Sequence, residues 1–165
     1  MDGILRAAEQ WARVHGVGPF HVLPRVAAAC TYRGTQTVLD LQIAVAQAGP
    51  VQIELIEQFC DHPSVYRELL GHGQSRFHQV CTVTGDYDGK KIQYERLGYE
   101  LVSEMNAGAG RVGFYDTLRD FGFFTEVVES TPTFLTQVSK IAQTCAAWDG
   151  TDPVRLLTRD GYRTP

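Results

Sequence analysis

Gly49-Pro50-Val51-Gln52-Ile53-Glu54-Leu55-Ile56-Glu57-Gln58 is the stretch on which the fold turns. Successive side chains of a strand point to opposite faces, so Gln52, Glu54 and Ile56 share one face while Val51, Ile53 and Leu55 share the other. Glu54 therefore points away from the apolar stripe its neighbours form. A weaker echo follows in Phe123-Phe124-Thr125-Glu126-Val127-Val128-Glu129-Ser130, where Glu126 stands between Phe124 and Val128 and opposite Thr125 and Val127. Two similar strands, each with one inward carboxylate, predict a duplicated module with a site between its halves.

Upstream of the first strand, residues 2–15 place Ile4, Ala8, Trp11 and Val14 or His15 at intervals of three or four, the spacing of an amphipathic helix. Gly16-Val17-Gly18-Pro19 ends it. Residues 20–30 read as a strand interrupted at Pro24, Tyr32-Arg33-Gly34 as a turn, and residues 37–46 as the next strand of an antiparallel meander. Downstream, residues 61–74 form a linker with a short helix over 65–70, closed by Gly71-His72-Gly73. The pattern then restarts: strand 77–84, helix 87–97, strand 100–105, strand 112–116 and the Glu126 strand. Thr131 and Pro132 suit the cap and first position of a helix carrying Leu135, Val138, Ile141, Ala142 and Cys145 on one face. The tail, residues 151–165, reads as polar and irregular.

The chain has 165 residues, is 44% hydrophobic and 21% charged, and carries a formal net charge of -4, an ordinary globular balance. Slight acidity without a Lys/Arg cluster argues against nucleic acid as a partner. No apolar run approaches the roughly 20 residues that cross a bilayer, and the first residues show no secretory pattern. The four cysteines, Cys30, Cys60, Cys81 and Cys145, stand far apart, as reduced cytoplasmic thiols do.

This order of elements resembles the vicinal oxygen chelate superfamily, the glyoxalase, bleomycin resistance protein and dioxygenase group. The residues that carry the resemblance are Gly16-Val17-Gly18-Pro19-Phe20, Val51-Gln52-Ile53-Glu54-Leu55-Ile56, Phe77-His78-Gln79-Val80, Phe114-Tyr115-Asp116-Thr117 and Thr125-Glu126-Val127-Val128-Glu129. It implies an α+β fold in which two tandem βαβββ modules form a curled mixed sheet around a cleft, with a C-terminal helix. The first module takes residues 1–60, the linker 61–74, the second module 75–130, and the helix and tail 131–165. It also implies a divalent metal held by Glu54, Gln79 and Glu126, with His78 beside them. Two departures stand out. Gln79 occupies a position where relatives usually have a histidine, and the strand that opens the first module is absent ahead of residues 2–15. The chain as it stands is expected to carry a modified fold and an incomplete metal site. An intact mass of the natural protein well above this chain's would overturn that expectation. A missing strand leaves an open edge beside the Glu54 strand, which proteins normally avoid.

Three functions follow from the resemblance. The first is a metal-dependent lyase, isomerase or epimerase that stabilises an enolate-type intermediate of a small carbonyl compound or thioester, with Glu54 or Glu126 as the base. The second is a metal-free protein that sequesters a partly hydrophobic ligand. The third and weakest is an extradiol-type dioxygenase. A cytoplasmic homodimer binding a small molecule, with neither nucleic acid nor membrane as partner, fits all three. Alternation along the strand turns His78 away from Gln79, and His21 reads as a packed strand residue that could line the cleft. Tyr115 and Asp116 either line the site or cap a turn with Thr117.

Overall fold

The computed structural model describes residues 3–70, 74–106 and 108–165; the expected Gly71-His72-Gly73 closure lies outside them. The elements run α1 (Gly3–His15), β1 (Phe20–Val22), β2 (Val26–Tyr32), β3 (Thr35–Ala48), β4 (Val51–Gln58) and α2 (Val65–Glu68). Then follow β5 (Gln79–Thr84), α3 (Tyr87–Arg96), β6 (Leu101–Asn106), β7 (Arg111–Tyr115), α4 (Leu118–Phe121), β8 (Phe124–Glu129), α5 (Pro132–Ala146), β9 (Val154–Thr158) and β10 (Gly161–Arg163). The architecture is α+β, with two βαβββ-type repeats followed by α5; α1 is the first element of the described residues, so no strand opens the first repeat there. The chain divides into two compact units, residues 1–26, 40–60 and 136–165 in one and residues 27–39 and 61–135 in the other.

In the first unit, α1 buries Ile4, Ala8 and Ala12, one residue per turn on a single stripe. They pack with Phe20 and Val22 of β1, Ala44 and Ala46 of β3, and Val154 of β9, while Ile53 and Leu55 of β4 close over the same core. The alternation in the Glu54 stretch thus puts its apolar face on α1. Glu57, on that same face, takes the place of an N-cap, accepting a hydrogen bond from the Ile4 amide at 2.8 Å. β4 pairs antiparallel with β3 from Leu41↔Gln58 to Ala48↔Val51, and no strand lies on its other edge among the described residues. Gly18 lets the chain pass close to Trp148, whose ring would lie 2.9 Å from a Cβ at that position.

The tail corrects the sequence reading. Instead of an irregular segment, β9 adds to β1 in parallel, with Phe20↔Val154 and Val22↔Leu156 in register, and β10 folds back antiparallel on β9. Val154 is buried in the α1 core, which gives the tail an apolar anchor that its polar composition hides. The α5 stripe is also shifted: Val138, Ile141, Ala142 and Cys145 are half-buried, but Leu135 is 51% exposed.

The second unit contains the complete repeat β5-α3-β6-β7-β8. Its sheet runs β2-β6-β7-β8-β5, antiparallel except for the β5–β8 pair. α3 lies on one face, where Tyr87 packs with Tyr115 and Val127. Asp86 caps α3, accepting from the Gly89 amide at 2.9 Å. Gly113 makes room for Tyr87: a Cβ there would lie 2.5 Å from the phenol oxygen, which donates to Glu104 at 2.9 Å. The opposite face of the sheet carries Glu126.

Candidate functional site

The register of the second sheet sets Cys81, Glu126, Phe114, Ser103 and Tyr32 in one row across β5, β8, β7, β6 and β2. Cross-strand partners project to the same side, so these five residues share the face opposite α3. Valines, Met105 and Cys30 form the next row, Val83-Val128-Val112-Met105-Cys30. Glu126 is therefore a single carboxylate set into an apolar face, and it is only 6% exposed. Burial disfavours its charged form and lifts its pKa from 4.5 to about 7, against the opposing hydrogen bonds from Gln79 and Cys81. A carboxyl group near neutrality can both take and return a proton at physiological pH.

Gln79 holds this carboxyl group. Its Nε2 donates to Glu126 Oε2 at 3.2 Å, while its Oε1 is in hydrogen-bond contact with His78 Nδ1. The other His78 nitrogen bonds the Val65 carbonyl oxygen at 3.0 Å. The expected separation of His78 from Gln79 is corrected. β5 begins at Gln79, so His78 precedes the strand and strict alternation does not govern it. Its ring packs on Phe124 at 5.2 Å, Phe114 at 6.3 Å and Tyr66 at 5.4 Å between centroids. Tyr66, supplied by the α2 turn that Ser64 caps, meets Phe114 edge-on at 5.6 Å. Sequence reasoning missed Tyr66, Cys81 and Ser103; Tyr66 was signalled by the Ser64 cap ahead of Val65-Tyr66, a buried pair at the start of the linker's helical turn.

The other candidates are placed by their own units. Glu54 belongs to the first unit, at an exposed position of β4 opposite Val45. Tyr115 is buried on the α3 face, away from Glu126, and Asp116 caps the following turn by accepting from the Leu118 amide at 3.2 Å. Thr117 completes that turn, donating to the Phe123 carbonyl oxygen at 2.6 Å. A surface concavity of about 280 Å³ lined by Cys30, Gln36, Met105 and Arg111, among others, includes neither Glu126 nor Gln79.

Whether this cluster suits a divalent ion is a question of donors. Both His78 nitrogens face oxygen atoms and the Gln79 amide oxygen is turned to His78, with the amide nitrogen toward Glu126, so in this arrangement neither side chain presents a donor atom beside the Glu126 carboxylate. One carboxylate remains. Among the described residues, no group of three His, Cys, Asp or Glu side chains is arranged to hold a metal. As arranged, the residues present do not fit a divalent ion.

A sequence model described as the glyoxalase/bleomycin resistance protein/dioxygenase superfamily matches residues 2–115. The chain belongs to that superfamily. A crystal structure of methylmalonyl-CoA epimerase from Mycobacterium tuberculosis shares its fold, with a TM-score of 0.55 and 18% identity over 82% of this chain and 86% of that one. No curated protein matches the chain. Members of the superfamily bind small molecules and commonly use a divalent metal. No helix among the described residues is long and apolar enough to cross a membrane.

Proposed function

We propose that this superfamily member is an isomerase or epimerase that moves a proton next to the carbonyl of a small, partly hydrophobic carbonyl compound or thioester, with Glu126 as the base. The observation that carries the reading is a carboxyl group buried in an apolar face, hydrogen-bonded by Gln79, with its pKa pushed up to about 7. The ionised carboxylate takes the proton from carbon: the C–H bond breaks, an O–H bond forms on Glu126, and the electron pair passes to the carbonyl oxygen as an enolate. Return of the proton from Glu126 to carbon completes the exchange. Ser103, buried and without a hydrogen-bond partner for its hydroxyl, is the donor we assign to the enolate oxygen. The base role goes to Glu126 rather than to Glu54 because Glu54 is exposed, whereas Glu126 is desolvated. No step runs through a metal.

A second reading is supported by the aromatic setting of the cluster. Tyr66, Phe114 and Phe124, all buried, surround His78, and an aromatic setting of this kind supports sequestration of an aromatic or hydrophobic ligand without chemistry. One experiment separates the two. A panel of small thioesters and 2-oxo compounds is incubated with the protein in D2O, and deuterium at the carbon next to the carbonyl is followed by NMR. Wild-type exchange reduced by about 10²-fold or more in Glu126→Gln supports the enzyme. Ligands that bind but never exchange would leave sequestration as the function.

A further inference from the structure

The first unit holds a buried imidazole with nothing to bond. His21 is 1% exposed, and neither Nδ1 nor Nε2 has a hydrogen-bond partner. Leaving a buried polar group unbonded costs roughly 1–3 kcal/mol, so an orphaned ring in a folded core is a place where a polar ligand would gain two hydrogen bonds.

The neighbours specify what. β1 and β9 run parallel with His21 opposite Arg155, so both side chains leave the same face of the sheet from backbones about 4.8 Å apart. β10 turns Tyr162 edge-on to the imidazole, with ring centroids 5.0 Å apart. Arg155 donates from Nε to the Asp152 carbonyl oxygen at 3.3 Å, and among the described residues no carboxylate forms an ion pair with its terminal nitrogens. Burial, assisted by the Arg155 charge, lowers the His21 pKa to about 4 and keeps the ring neutral, with one donor and one acceptor nitrogen. Along the same row, Val45 lies opposite His21 and Glu54 opposite Val45, so an apolar residue separates the acid from the imidazole.

We propose that His21, Arg155 and Tyr162 form a binding site for a small organic carboxylate, best one with a hydroxyl on the neighbouring carbon. The carboxylate accepts hydrogen bonds from the Arg155 terminal nitrogens and from the N–H of His21. The ligand hydroxyl donates to the second ring nitrogen, and the Tyr162 ring covers the carbon skeleton. A cation alone would bind any anion. The neutral imidazole adds a donor and an acceptor, which favour a hydroxy acid over an inorganic ion. The site rests on the first unit alone and does not depend on Glu126.

The test is a titration of the full-length, 15N-labelled chain with lactate, read on the imidazole nitrogens by long-range proton–nitrogen correlation, with chloride at equal ionic strength as control. The expected result is a saturable shift of the His21 ring that chloride does not produce. Its Kd is expected to rise roughly tenfold or more in Arg155→Gln and to recover partly in Arg155→Lys, as loss and return of a charge-assisted bond require. His21 resonances that do not move in the wild-type protein would overturn the proposal, and so would the same Kd in wild type and Arg155→Gln. The wild-type titration decides the matter even if a variant fails to fold. Because no turnover is measured, failure here leaves the Glu126 reading intact.

Discussion

Glu126 and His21 are buried titratable groups shifted in opposite directions relative to pH. The Glu126 pKa is raised from 4.5 to about 7, so the folded state holds its proton more tightly than the unfolded chain does. Its contribution is fully present below pH 4.5 and is lost as pH rises to about 7. Glu126→Gln keeps a hydrogen-bond acceptor and removes the charge, so thermal denaturation is expected to show a higher Tm than wild type at pH 8 and little difference at pH 4.5. An equal gain at both pH values would contradict the raised pKa. His21 runs the other way. Its pKa falls from 6.5 to about 4, so the neutral ring stabilises the fold above pH 6.5 and that contribution disappears as pH drops to 4. His21→Leu is expected to flatten the acid limb of the stability profile. If the limb keeps its wild-type slope, other groups carry it. Part of this was legible in the sequence. Period-two alternation identified Glu126 as the odd carboxylate among apolar neighbours, and position within the motif identified Gln79. The relation of His78 to Gln79 was not legible, because it depends on a strand starting two residues later than composition suggests.

Among the elements, the terminal hairpin shows most clearly where sequence reading stops. Val154-Arg155-Leu156-Leu157-Thr158 is short, and its partner β1 has only three residues, so neither strand has enough length to display a period. What makes β9 is tertiary: Val154 enters the core beside Phe20. Val154→Ala is accordingly expected to cost about 2 kcal/mol in urea denaturation, whereas Leu135→Ala, at an exposed position of α5, should stay within about 0.5 kcal/mol. Equal effects would mean that β9 is not part of the core. In the second unit, Gly113→Ala tests the contact between helix and sheet. The new methyl group meets the Tyr87 phenol oxygen, so Tyr87 must give up its bond to Glu104 or α3 must shift. A loss of about 1–3 kcal/mol is expected, and a neutral result would show that α3 yields freely. α1, α5 and the longer strands were legible because each spans several periods of its own pattern, whereas α4, a single turn over Leu118–Phe121, was not expected from the sequence.

For the molecule as a whole, superfamily membership sets the fold. With His78 and Gln79 engaged as they are, elemental analysis of protein purified without added metal is expected to find well below one divalent ion per chain. A stoichiometric ion that disappears in Glu126→Gln would show that the Gln79–His78 pair opens to admit one. The repeat itself was readable from the order of elements, since each half ends in a Glu-bearing strand, with Glu54 in one and Glu126 in the other. The division of the chain into units was not, because residues 27–39 leave the first repeat to join the second unit and residues 136–165 return to the first. Such exchange between distant segments leaves no periodic trace in a linear sequence.

Cys81 sits opposite Glu126 in the β5–β8 ladder and is exposed, while Cys30 is buried and Cys60 and Cys145 are half-covered. The molecule therefore carries its own attachment point for a thiol-reactive dye, one strand away from the proposed base. Alkylation should favour this position over the other three, and a fluorophore placed there would report occupancy of the Glu126 face by a change in emission. Ligand screening thus becomes possible before any substrate is known.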